Sequence, residues 1–122
     1  MPALYSETLL DHFRHPRNYG DLPAADISYE SFNPLCGDRI RIALKLNERV
    51  IQDARFKGDG CAISTAAASL LTEMIRGANL DDLPSDDRLI SALESDIHPA
   101  RVQCALLPLE ALRAGLREHR RP

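Results

Sequence analysis

The chain has 122 residues, 44% of them hydrophobic, and a formal net charge of −3. That is enough apolar material for one core and one domain over residues 1–122 without disulfides, and the charge gives no reason to expect a nucleic-acid partner held by phosphate neutralisation. No run approaches the length of an apolar membrane span, and residues 1–10 carry Glu7 and no basic cluster ahead of an apolar segment, unlike a signal peptide.

The expectation is therefore a cytoplasmic protein with no membrane partner. Its three cysteines would be reduced thiols, available for metal binding, sulfur chemistry or plain burial.

Residues 1–13 read as a helix, with Leu4, Leu9, Leu10 and Phe13 on one broad face. His15-Pro16 ends it, since a residue before proline avoids helical geometry. A strand is expected over residues 27–32. Ile40, Ile42, Leu44 and Leu46 then alternate with Arg39, Arg41, Ala43 and Lys45, a period of two with one dry and one charged face. Asn47-Glu48-Arg49 reads as a turn. Val50, Ala54 and Phe56 resume the alternation with a lapse at Gln52, so the three strands form an antiparallel meander.

Gly58-Asp59-Gly60 stops the last strand. A helix follows from Cys61 to Arg76, its apolar stripe running Ile63, Ala66, Ala67, Leu70, Leu71 and Met74, with Gly77 as terminator. Asn79 to Leu83 reads as a short helical turn, and Ser85 caps a short helix containing Leu89 and Leu93. Pro99 opens a final helix with Val102, Leu106, Leu109, Leu112 and Leu116 as its buried stripe and a kink at Pro108. Residues 117–122 are expected to be a flexible tail. The fold class is α+β: a small three-stranded antiparallel sheet with helices packed on it.

Each cysteine falls at an element boundary. Cys36 lies in the turn Asn33-Pro34-Leu35-Cys36-Gly37-Asp38, Cys61 at a strand-to-helix junction, and Cys104 in the first turns of the last helix. A Cys-x-Asp pair around a glycine places two side chains on one side of a turn. A cysteine at a helix N-terminus faces the positive end of the dipole, which favours thiolate. Cys36, Asp38, Cys61 and Cys104 together make a three-thiolate, one-carboxylate set that suits tetrahedral zinc or a labile iron–sulfur cluster, the exchangeable Asp38 serving as release point. Three cysteines without a Cys-x-x-Cys spacing also fit simple burial, and Asp38 also fits an ordinary turn residue. His12, His15, His98 and His119 read as surface or loop residues. Arg39, Arg41 and Lys45 read as a solvated strand face that could meet an acidic partner.

Four blocks carry a family resemblance: Leu10-Asp11-His12-Phe13-Arg14-His15-Pro16-Arg17-Asn18, Asn33-Pro34-Leu35-Cys36-Gly37-Asp38, Phe56-Lys57-Gly58-Asp59-Gly60-Cys61-Ala62-Ile63-Ser64 and Arg101-Val102-Gln103-Cys104-Ala105. In this order they resemble the IscU/SufU/NifU-type iron–sulfur assembly proteins over nearly the whole chain. The resemblance implies that Cys36, Asp38, Cys61 and Cys104 bind zinc or a nascent cluster, and that the protein works with a cysteine desulfurase and recipient apo-proteins.

It also implies a choice of role: a cluster scaffold or sulfur acceptor, a zinc-dependent sulfurtransferase of SufU type, or a zinc-stabilised desulfurase adaptor without sulfur chemistry. For sulfur acceptance Cys36 is the first-choice nucleophile, since a loop residue swings more freely than one on a helix, and Cys104 the second. Gln103 stands where IscU-type chains place a histidine. The Asp38-Arg39-Ile40-Arg41 wording is close to SufU, yet the extra segment that SufU-type chains carry before the last cysteine is missing.

Overall fold

A computed structural model describes residues 5–120. The elements run α1 (Glu7–Arg14), β1 (Ile27–Asn33), β2 (Asp38–Asn47), β3 (Val50–Asp59), α2 (Ala62–Ile75), α3 (Asp86–Ala92), a 3₁₀ turn (Pro99–Arg101) and α4 (Val102–Arg120). The sheet is antiparallel in the order β1-β2-β3, and its inward row, Ile40, Ile42 and Leu44, is buried against residues of α2 and α4. This is the expected α+β class and meander.

The lapse at Gln52 has a structural cause. Lys45 pairs with Asp53, but Leu46 pairs with Ile51, so a bulge breaks the register there. The bulge reverses the parity of β3: Ile51 is buried, whereas Val50, expected on the inward face, is exposed.

Other details depart from expectation. α1 begins only at Glu7, because Ser6 caps it by accepting from the Leu9 amide at 3.0 Å. The expected start over residues 1–4, Leu4 included, lies outside the described residues. Leu9 is buried but Phe13 is exposed. Asn79 to Leu83 forms no helix; Asn79 instead bridges to Val50. α3 forms as expected, capped by Ser85.

Pro99 opens a 3₁₀ turn rather than α4 itself. α4 accommodates Pro108 within its span and continues to Arg120, so residues 117–120 are helical rather than a flexible tail; Arg121 and Pro122 lie outside the described residues. Its buried side is centred on Cys104, Ala105, Pro108, Leu112 and Leu116, while Val102 and Leu106 are only half-buried.

His12 is a clear correction. It is buried, with Nδ1 2.7 Å from the hydroxyl of Ser69 on α2 and Nε2 3.5 Å from Glu73. The same Ser69 oxygen accepts the Arg17 amide at 2.9 Å, so one hydroxyl ties α1 and the following turn to α2. Burial, reinforced by Arg17, holds the imidazole below its ordinary pKa against the opposing pull of Glu73 and Asp11.

The fold thus favours the neutral ring. Its contribution to stability is present above the unfolded pKa near 6.5 and is lost as pH falls below it. Thermal unfolding should therefore show a midpoint that drops on acidification from about pH 7.5 to about pH 5.5, and the drop should be smaller in His12→Gln; an equal drop in that variant would rule His12 out as its source.

Candidate metal centre

The site forms where the β1–β2 turn, the start of α2 and the start of α4 meet. The turn is closed by the Gly37 amide donating to the Asn33 carbonyl at 2.8 Å and by the Leu35 amide donating to the Asn33 side chain at 3.0 Å. It presents Cys36 to solvent. Asp38, the first residue of β2, has the same parity as Ile40 and Ile42; the pleat therefore turns its carboxylate inward, and it is buried.

Cys61 caps α2, with the Ser64 amide directed at its sulfur at 3.5 Å. The strand runs close beneath this end: a Cβ on Gly58, which sits at φ +147°, would collide with the Arg39 carbonyl of β2. Cys104 is buried on α4 as part of the core.

These residues face one another. The ligand atoms of Cys36, Asp38 and Cys104 all lie within 4.8 Å of one another, and the sulfurs of Cys36 and Cys104 are 3.7 Å apart. Two thiolates sharing a tetrahedral zinc, each with a bond of about 2.3 Å, would sit about 3.8 Å apart, so this pair already has the span of one edge of such a site. Cys61 lies outside that tight trio but is linked to Asp38 through the Ser64 hydroxyl, which is 3.1 Å from Asp38 Oδ2 and 3.7 Å from the Cys61 sulfur. All four line a single cavity of about 430 Å³ with Asn33, Leu35, Ala100, Arg101 and Gln103. Cys36, Asp38 and Cys104 fit zinc or an iron–sulfur cluster in type and spacing, and Cys61 offers a further thiol on the wall of the same cavity.

Two neighbours were missed in the sequence. Arg101 lines the cavity with Cys61 and Cys104; those thiols raise its pKa further, and it supplies positive charge to a site rich in potential anions. Its signal was available: a cation three residues before a candidate ligand on a helix lies on the same side. Ser64 donates to Asp38; its signal was a polar residue inside the apolar stripe of α2. Asp38 pays a desolvation cost, but hydrogen bonds from Cys61, Ser64 and Cys36 outweigh it and keep the carboxyl below its usual pKa. Burial, the hydrogen bond with Cys36 and the nearby Cys61 push the Cys104 thiol up to about 11, Arg101 opposing.

Comparison with known proteins follows the same lines. Residues 4–121 match the NifU-like N terminal domain model. The chain is 35% identical to the zinc-dependent sulfurtransferase SufU of Bacillus subtilis, over 95% of this chain and 91% of that protein. That alignment spans 135 positions, more than this chain's 122 residues, as expected if SufU carries a segment that is missing here. Identity to the iron–sulfur cluster assembly scaffold protein IscU of Escherichia coli is 34%, covering 95% and 94% of the two chains. A crystal structure of SufU from Fervidobacterium islandicum superposes with a TM-score of 0.78 at 27% identity, covering 92% of this chain and 96% of that one.

Near neutral pH Cys104 keeps its proton, and a metal must displace it. Zinc affinity should therefore rise between about pH 6 and about pH 8, by about tenfold per unit for each proton released. Calorimetry in buffers of different ionisation enthalpy reads that release directly. Arg101→Ala should weaken zinc binding at every pH in the range.

Proposed function

The chain belongs to the NifU-like N-terminal domain family, and from that membership we propose that it is an iron–sulfur cluster assembly scaffold, holding a metal ion or nascent cluster on Cys36, Asp38, Cys61 and Cys104. The observation that carries this reading is the convergence of three chain segments on one cavity, with the Cys36 and Cys104 sulfurs 3.7 Å apart. Its partners on this reading are a cysteine desulfurase, which supplies sulfur, and apo-proteins that receive the cargo. The work belongs in the cytoplasm, where thiols stay reduced; among the described residues, no helix is long and apolar enough to cross a membrane.

A second reading, zinc-dependent sulfur transfer, is favoured by the contrast between the thiols: Cys36 is exposed while Cys104 is buried. In that reaction the Cys36 thiolate attacks the outer sulfur of a persulfide on the desulfurase. A new S–S bond forms on Cys36, the donor's S–S bond breaks, and the donor cysteine leaves as thiolate. Zinc, when bound, would hold the thiols deprotonated and shielded from oxidation. Cys36 is the nucleophile on grounds of access, and Gln103 adds no further ligand beside Cys104.

Anaerobic reconstitution with iron and sulfide separates the readings. A scaffold yields a stable cluster absorption that is lost in Cys61→Ser and Cys104→Ser. A sulfurtransferase keeps zinc, stimulates desulfurase turnover and acquires a persulfide that disappears in Cys36→Ser. A protein that binds neither metal nor cluster overturns both.

A further inference from the structure

Ser64 stands behind Asp38 and Cys61 without belonging to the ligand set or lining the cavity. It is fully buried in the first turn of α2. Its hydroxyl lies 3.1 Å from Asp38 Oδ2, 3.2 Å from the Cys61 carbonyl oxygen and 3.7 Å from Cys61 Sγ. The hydroxyl has one proton for these three neighbours, and an ionised carboxylate is a stronger acceptor than a neutral carbonyl. Packing alone would favour alanine here: it suits a helix better than serine and buries no polar group.

The surroundings are shaped to admit the hydroxyl. A Cβ on Gly60 would collide with Ser64 Oγ and approach Ile40 Cδ1 at 3.3 Å. Gly60 thus leaves the space that lets Ser64 reach across from α2 to β2.

We propose that Ser64 is a positioning residue of the metal centre, holding the Asp38 carboxylate toward the thiols and locking the β2 and α2 ligand segments to each other. The proposal rests on the reading of Asp38 as a ligand. A carboxylate with one oxygen held by a hydroxyl is fixed in orientation before a metal arrives, and less freedom is lost on binding. The hydrogen bond also restrains the oxygen ligand, the member of the set best suited to let go.

The test compares Ser64→Ala, Asp38→Ala and the double variant. Zinc affinity is read by competition with a chromophoric chelator, and the ligand field by the absorption of the cobalt(II)-loaded protein. Ser64→Ala should still bind one equivalent, with affinity reduced about 10- to 100-fold and an altered cobalt spectrum; the double variant should bind no more weakly than Asp38→Ala.

Loss in Asp38→Ala with none in Ser64→Ala overturns the role of Ser64 and leaves the ligand reading standing. Additive losses overturn it too, because Ser64 would then act independently of Asp38. Unchanged binding in Asp38→Ala overturns the ligand reading and the proposal together. Gly60→Ala keeps Ser64 but crowds its hydroxyl off Asp38; the same loss is expected, and undiminished affinity counts against the proposal even if Ser64→Ala fails to fold.

Discussion

Burial of the inward row of β2, Ile40, Ile42 and Leu44, beneath α2 and α4 is the interaction on which the site depends. Cys36 and Asp38, Cys61, and Cys104 are far apart in sequence, and none of these segments could hold its side chains in place alone. The apolar face brings them together: α2 leaves the sheet at the end where β2 begins, and the first turns of α4 come down at that same end. Ligand geometry is thus a by-product of core packing, and close packing tolerates little drift.

The polar part of the site grows out of that apolar frame without a break in periodicity. Asp38 continues the row of Ile40 and Ile42, and Ser64 sits within the stripe of Ile63, Ala66 and Ala67. Both are polar residues at positions where the pattern would place an apolar one. Each is tolerated because the other satisfies it, with Cys61 completing the group. This reciprocity rigidifies the junction between sheet and helix in a way that neither hydrophobic contact nor loop structure would.

Much of this was legible in the sequence because it rests on local chemistry. The alternation in β2, the cap at Ser85, and the placement of each cysteine at an element edge were all readable, and so was the ligand set as a candidate. What was not readable depended on tertiary context. The bulge opposite Lys45 and Leu46 appears from one strand as a lapse at Gln52, and only the pairing shows that it inverts which residue is buried. His12 carries no local mark of burial; it is buried because Ser69, 57 residues away, offers it a partner. The parity of Asp38 was readable, but the turn at Gly37 suggested a loop residue rather than the first inward position of a strand.

Cys104 belongs both to the cavity and to the hydrophobic core. A residue with two such memberships couples occupancy of the site to folding. Any cargo that binds the native state but not the open chain deepens the native well, by about 2.7 kcal/mol when free ligand is a hundredfold above its dissociation constant. The empty protein is then the one that opens more often. A protease or chaperone that samples open chains would distinguish loaded molecules from spent ones without ever touching the thiols.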